Sequence, residues 1–532
     1  MAAADVLDAT RSAAARARAL ATNRPVPLPS DAAPPRVAII GTGIGGLGMA
    51  IRLVQMGVDD VTLFEKADAL GGTWRDNDYP GSGCDVPSHL YSLSFAPNPD
   101  WTRKFPEQSE ILEHLERVAD EFDVRRRIRF STEVTAATFD DETGRWTLDL
   151  ADGSTFTADV VVAATGQLNR PHVPAIEGLD SFAGTAFHSA RWDHDHDLTG
   201  KDVAVIGIGA SAIQFVPAIA DRVGRMTLFQ RSVNYVGPKP DGPISERARR
   251  LFRTFAPARL AYRASIWARF ESRFVIFKQG SKLGEIGRKR FQEQLAPLAT
   301  PDLPAETIVP DYPLGCRRIL ISNDWYPTLM RPNVEVVTDG VDRIEPDAVV
   351  AGGRRYPADT IIFGTGFKTT DFLEPITVTG AEGRVLGDVW ADGAEAHLGI
   401  SVSGFPNLFL LYGPNTNLGH NSIIFMLERQ IGWILQAVRI LATEGRRWVD
   451  VRPEAQAASN ARLDRELART VWASSCHSWY KDARGRITNN WSGYTWQYWR
   501  RTRHLHRDDL RVGPTRAETP APESSEREPV GV

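Results

Sequence analysis

The sequence predicts an α/β fold in which one chain carries two similar parallel-sheet units, and three observations point there. Residues 36–46 read RVAIIGTGIGG, a short apolar strand that runs into Gly41-x-Gly43-x-x-Gly46. Residues 202–212 read DVAVIGIGASA, again a strand, now followed by Gly207-x-Gly209-x-x-Ala212. Each loop opens a helix-like run, and each helix is followed by nearly the same strand, VTLFEK at 61–66 and MTLFQRS at 226–232.

Glycine in such a loop permits a tight turn and lets backbone N–H groups approach a pyrophosphate, which then rests at the positive end of the following helix. Alanine serves in the third position because that position needs only close helix–strand packing. Each unit therefore reads as Rossmann-like and dinucleotide-binding. They differ where the second strand ends. Glu65 and Arg231 each stand 24 residues after the first glycine of their unit. A carboxylate there accepts from a free ribose 2′-hydroxyl and repels a 2′-phosphate, whereas a guanidinium offers planar donors to that phosphate. The first unit is thus expected to take an unmodified ADP group, as in FAD, and the second to take NADPH. One chain holding both is expected to be a flavoprotein.

The segments DVVVAATG (159–166) and DTIIFGTG (359–366) are both strands ending in Thr-Gly, and they read as the places where the chain passes from one nucleotide unit to the other. The expected organisation follows. Residues 1–35 form a helical extension and linker. Residues 36–185 and 371–504 form a discontinuous FAD-binding domain, into which an NADPH-binding domain of residues 186–240 and 311–370 is inserted. Residues 241–310, rich in Arg and aromatic side chains, form a helical insertion over the cofactor cleft. Residues 505–532, rich in Pro, Glu and Ser, read as a disordered tail.

Composition excludes little but agrees. With 532 residues and 42% hydrophobic content the chain can build a large core, and a formal net charge of −4 supplies no field directed at nucleic acid or an anionic membrane. No apolar run approaches a membrane span. Cys84, Cys316 and Cys476 form no CxxC or Cys/His ligand pattern, so a reducing, cytoplasmic compartment and no structural metal are expected. A flavoprotein with two nucleotides is a disulfide reductase, an oxidase or a monooxygenase. The wide separation of the three cysteines argues against the first.

The stretch Phe182 to Asp193, FAGTAFHSARWD, resembles the fingerprint FxGxxxHxxxW(P/D) of the type I Baeyer–Villiger monooxygenases, a class B flavoprotein monooxygenase family. Relatives that oxidise soft nitrogen or sulfur atoms usually carry Tyr in place of Trp192. The resemblance continues through GGTWRDNDYPGSGCDVPSHLY (71–91), GCRRILISNDWYP (315–327), LYGPNTNLGHNSI (411–423), CHSWY (476–480) and NNWSGYTWQYW (489–499). It implies that Gly45, Glu65, Thr73, Trp74, Asp76, Asp85, Tyr91 and Val134 contact FAD. It implies that Ser211, Gln214, Arg231, Ser232, Arg317, Arg318 and Trp479 serve the NADP side, with Ile423 a further cofactor contact. It places the family's catalytic arginine at Arg318 and the supporting carboxylate at Asp85, and makes His188 and Trp192 parts of an interdomain linker. Three departures stand out: Arg317 where Lys is commoner, Phe363-Gly364 where two small residues are usual, and Ser475 where Gly commonly precedes the cysteine.

The implied reaction uses NADPH to reduce FAD and O2 to form a C4a-peroxyflavin, which converts a ketone to an ester or lactone. A permanently charged guanidinium suits an anionic nucleophile and a developing alkoxide. Oxidation of sulfides or amines is the alternative reading, and a regulator that binds dinucleotides without turnover is a third. Asn415, Asn417 and His420 either contact a polar substrate or serve loop geometry, and the sequence leaves the ketone's class open.

Overall fold

Two five-stranded sheets, parallel throughout, organise the chain in the computed structural model, which describes residues 24–476 and 478–516. The expected extension over residues 1–23 and the tail beyond residue 516 lie outside the described residues. In the first sheet the spatial order is Leu408–Leu410, Val160–Ala163, Val37–Ile40, Val61–Phe64 and Ile128–Arg129. In the second it is Val334–Val337, Arg225–Phe229, Asp202–Ile206, Thr360–Phe363 and Thr185–His188. The glycine-loop strand is central in both, with an x-T-L-F strand on one side and a strand leading to Thr-Gly on the other. These central strands are almost wholly buried, as expected of parallel strands covered on both faces.

The turns explain why glycine is needed. Gly41 (φ +103°) lies where a Cβ would be 2.6 Å from the Ala164 carbonyl oxygen, and Gly207 (φ +93°) where one would be 2.7 Å from that of Gly364. The next contact is exchanged between the units. In the first, helix Ile44–Met56 brings Gly46 against Ala164, whose Cβ stands 3.5 Å from where a Gly46 Cβ would be. In the second, Ala212 begins helix Ala212–Ile219, and a Cβ on Gly364 would lie 3.2 Å from its own and 2.8 Å from the Gly207 carbonyl oxygen. The unusual Gly364 is thus the partner of the alanine in the third loop position.

The Thr-Gly exits run side by side. Pro171 bridges Phe367 in antiparallel fashion, Lys368 N–H donates to the Arg170 carbonyl, and His172 N–H donates to the Gly366 carbonyl. A four-stranded sheet (Thr377–Thr379, Val134–Asp140, Arg145–Leu150, Thr155–Ala158) packs beside the first sheet. Residues 241–310 contain helices Glu246–Thr254, Ala256–Ser272 and Lys282–Leu295. They dock through Arg263, which donates to the carbonyls of His89 and Ser92, and through buried Glu271, which accepts from Asn421 and Thr495.

The disordered tail expected from residue 505 onward needs correction. Strand Leu510–Val512 pairs antiparallel with Val449–Val451, and Arg511 reaches the buried Asp450 carboxylate. The Pro, Glu and Ser that suggested disorder lie mostly beyond residue 516, and averaging over the whole segment hid the short strand. No described helix is long and apolar enough to cross a membrane.

Candidate active site

The first glycine loop leaves room for a ligand. A Cβ on Gly43 would meet nothing nearer than the Gly72 Cα at 4.0 Å, while Gly45 rests against Leu411 and Leu427. Glu65 is buried, and its carboxylate accepts from Thr42 N–H (3.1 Å), Thr42 Oγ1 (2.6 Å) and Ala67 N–H (3.1 Å) and pairs with Arg75 Nη1 (2.9 Å). Arg75 is the one long side chain among the partners of this carboxylate. Thr73, Trp74 and Asp76 form a one-turn helix after Gly72. Trp74 Nε1 donates to the Tyr91 hydroxyl at 3.1 Å, and Asp76 is turned to Arg75 at 2.7 Å. Val134, buried, opens strand Val134–Asp140.

The second loop is built alike. Gly209 is open except for the Gly364 carbonyl oxygen, which a Cβ would meet at 3.4 Å, and Ser211 immediately precedes the helix that carries Gln214. Gln214 turns back to the first unit: its Oε1 accepts from the Tyr79 hydroxyl (2.9 Å), and its Nε2 donates to the Gly83 carbonyl (2.9 Å). Arg231 is exposed at the end of Arg225–Phe229, and no carboxylate pairs with it among the described residues. Beside it Arg317 donates to Ser232 Oγ at 2.5 Å and lies over the Tyr312 ring, 4.7 Å from its centroid.

Arg318 and Asp85, 233 residues apart in sequence, meet between the units. Arg318 Nε and Nη2 donate to one Asp85 oxygen at 3.1 and 2.5 Å, with side-chain exposures of 29% and 27%. Asp85 above all holds the guanidinium's proton more tightly than usual, against the opposing effect of burial. Two phenols sense the pair. Burial raises Tyr412 above its ordinary value and pushes Tyr480 up to about 12, and the charge of Arg318 opposes both shifts. Tyr412 holds φ +62°, and its hydroxyl donates to Asn417 Oδ1 at 2.7 Å. The Asn417 amide in turn donates to Asn490 at 2.7 Å. Trp479 stacks at a tilt on Tyr480, with 4.5 Å between ring centroids, and its carbonyl accepts from Asn489 and Thr369. Ile423 opens helix Ile423–Thr443 beside this loop.

Four further residues singled out in the sequence make the following contacts. Asn415 donates to the backbone of Ile487 and so ties the loop to its surroundings, and buried His420 faces Glu271 at 3.6 Å. His188 is buried between backbone groups, bonding the Gly366 carbonyl and the Ala190 N–H, and Trp192 packs on Phe187 and Phe215. Tyr412, Tyr480, Gln167 and Tyr79 were missed. A Tyr in the left-handed region has no sequence signature, and Tyr480 was visible only as the last letter of CHSWY. The cysteines also need correction: isolated in sequence, Cys316 and Cys476 are joined as a disulfide with 6.5 Å between Cα atoms, and Cys84 is free and buried.

A flavin fits this set on structural grounds. Around the Tyr412 loop the buried Gln167 Oε1, Tyr480 hydroxyl, Asn489 Oδ1 and Asn490 Nδ2 have no hydrogen-bond partner among the described residues, which is costly unless a ligand supplies one. Two glycine loops of dinucleotide-binding form, together with a bonded Arg–Asp pair, fit a flavin-dependent monooxygenase. Residues 34–237 match the family model "Flavin-binding monooxygenase-like". A Baeyer–Villiger monooxygenase of Streptomyces coelicolor is 46% identical over 481 residues, covering 90% of this chain and 92% of the relative. A solved steroid monooxygenase bound to NADP matches with TM-score 0.81 and 31% identity, covering 90% and 99% of the two chains. OTEMO, solved with FAD and NADP, matches with TM-score 0.83 and 27% identity, covering 90% and 100%. The chain belongs to the Baeyer–Villiger monooxygenase family.

Proposed function

We propose that Arg318, oriented by Asp85, is the charge-holding group of a reaction that inserts oxygen beside a ketone carbonyl. The protein is a flavin-dependent Baeyer–Villiger monooxygenase with FAD and NADPH as cofactors, and its products are esters or lactones. Bound FAD supplies the redox chemistry, passing electrons from NADPH to dioxygen; the chain's own residues supply binding, charge and shelter.

Arg318 contributes a cation that stays protonated, so it stabilises an oxygen anion without giving up its proton. Asp85 fixes the plane of the guanidinium through two donors on one oxygen, and this pairing is the observation that carries the assignment. Arg231 and Arg317 are assigned to the 2′-phosphate of NADPH, supported by the bond of Arg317 to Ser232 Oγ, the residue that follows Arg231. Ser211 and Trp479 are assigned to the same nucleotide. Gln214 positions the second unit on the first through Tyr79 and Gly83. Gly41, Gly43, Gly45, Gly46, Glu65, Thr73, Trp74, Asp76, Tyr91 and Val134 are assigned to FAD, supported by the open face of Gly43 and the buried carboxylate of Glu65.

The division into a discontinuous FAD domain (36–185 and 371–504) and an NADPH domain (186–240 and 311–370) is supported by the shared sheet of Val37–Ile40, Val160–Ala163 and Leu408–Leu410. A cytoplasmic, NADPH-supplied setting and a small ketone substrate complete the proposal. The test supplies purified holoenzyme with NADPH and cyclic, aryl and polycyclic ketones under labelled dioxygen. One labelled oxygen in an ester or lactone is expected. NADPH consumption with hydrogen peroxide as the sole oxygen product from every ketone, and labelled sulfoxides from sulfides, overturns the ketone assignment.

A further inference from the structure

Two segments far apart in sequence are stitched together beside the reaction centre. Gly315–Arg318 carries both arginines, and the chain from Trp472 to Tyr480 carries Trp479. The Trp472 indole donates to the Gly315 carbonyl at 3.1 Å, and Ser474 Oγ lies 3.1 Å from Cys316 Sγ. The Cys316–Cys476 bond joins the same segments across 160 residues. Cys316 is buried and Cys476 is partly exposed. Lys481 Nζ donates to the Ser474 carbonyl at 2.5 Å, which holds the Cys476 side of the joint. Immediately after Cys316 stands Arg317, bonded to Ser232 on the NADP side, and then Arg318 on Asp85.

We propose that the Cys316–Cys476 pair is a reversible positioning bond, which when oxidised fixes the Trp479 segment against the Arg317–Arg318 turn and so tightens NADPH binding and limits loss of oxygen as hydrogen peroxide. Its oxidant is the hydrogen peroxide that such an enzyme releases whenever NADPH is oxidised without ketone. The Cys476 thiolate, the accessible one, attacks a peroxide oxygen to give a sulfenic acid, and the displaced hydroxide takes a proton to become water. The Cys316 thiolate then attacks that sulfur, forming the S–S bond and releasing the sulfenic oxygen as a second water. Two thiols lose two electrons and one peroxide gains them. A dithiol reductant reverses the change by exchange at the sulfur of Cys476, the less buried of the two residues.

The physical effect is preorganisation. A cross-link over so long a loop removes arrangements in which the two segments part, so the nucleotide no longer has to order them. The effect on NADPH rests on the reading of Arg317 and Trp479 as NADP-side residues. The bond itself does not rest on it, and failure to make an ester from any ketone would leave the bond untouched.

The test uses the flavin-loaded enzyme in two states, reduced with excess dithiothreitol or titrated with hydrogen peroxide and then desalted. Denatured, alkylated samples are mapped without reductant. The oxidised state is expected to yield a peptide linking Cys316 to Cys476 and one alkylated cysteine, Cys84; the reduced state is expected to yield three. The KM for NADPH and the peroxide formed per NADPH are expected to be lower in the oxidised state by roughly two- to tenfold, the size of sparing one ordered side chain, with kcat little changed. Cys476→Ser is expected to match the reduced wild type under both treatments. Three alkylated cysteines after peroxide overturns the inference, and so does a linked peptide with identical KM and leak in both states. The wild-type comparison decides even if the variant fails to fold.

Discussion

Arg318 and Asp85 show what one residue is asked to do. The Arg318 guanidinium places two of its donors, Nε and Nη2, on a single Asp85 oxygen. Arg318→Ala removes the charge but leaves both glycine loops intact, so NADPH is still expected to bleach the flavin. Ester formation is expected to fall by about a hundred- to a thousandfold, some 3–4 kcal/mol of barrier. Rapid-mixing absorbance and product analysis separate the two steps, and ketone turnover near the wild-type rate would remove Arg318 from its role. Arg231 is more exposed and its proposed task is selection: Arg231→Ala should cut the preference for NADPH over NADH by about tenfold or more, the scale of a lost charge-assisted contact. An unchanged ratio of the two kcat/KM values assigns the phosphate to Arg317 alone. The sequence made both arginines legible through an offset and a motif. It did not show Tyr412 and Tyr480, because their place depends on a backbone conformation and on burial.

At the scale of the element, the two strand–turn–helix units solve one packing problem in opposite ways. Helix and strand end approach so closely that only one of the facing positions carries a Cβ: Ala164 faces Gly46, and Ala212 faces Gly364. Adding a second methyl has a separate readout in each unit. Gly46→Ala would put a Cβ 2.0 Å from the Gly41 carbonyl oxygen, so the helix must shift and retained flavin, read as the absorbance ratio after gel filtration, should drop sharply. Gly364→Ala should keep its flavin and raise the KM for NADPH instead, since only the second turn is crowded. Equal flavin loss in both variants would show that the turns are not independent. The strands, the loops and the Thr-Gly exits were legible because their pattern is local. The strand Leu510–Val512 was not, because a three-residue strand is set by its partner Val449–Val451 rather than by its own composition.

For the whole molecule, the joint between the units matters most, and sequence reported it least. Tyr79, Gln214 and Gly83 clasp the units, His188 pins the fingerprint to the second Thr-Gly exit, and Glu271 ties the helical insertion to the loop of residues 411–423. Each contact spans many residues, so no local pattern encodes it. His188 also gives the joint a pH dependence. Burial lowers its pKa from 6.5 to about 4, and burial likewise takes His89 and His114 to about 4. In the unfolded chain these imidazoles take protons below about pH 6.5, while in the folded protein they stay neutral until about pH 4. The unfolded state therefore binds more protons throughout that window, and stability falls as the pH drops through it, by up to about 1.4 kcal/mol per pH unit for each histidine. Urea unfolding at pH 7, 6 and 5, followed by tryptophan and flavin fluorescence, should show that decline. His188→Gln keeps a donor for the Gly366 carbonyl but cannot take the proton, so the variant should lose stability at pH 7 yet fall less steeply towards pH 5. The difference in slope should approach about 1.4 kcal/mol per pH unit. An identical slope in variant and wild type would mean that His188 is protonated in the folded joint, and the neutral link between fingerprint and exit would have to be abandoned.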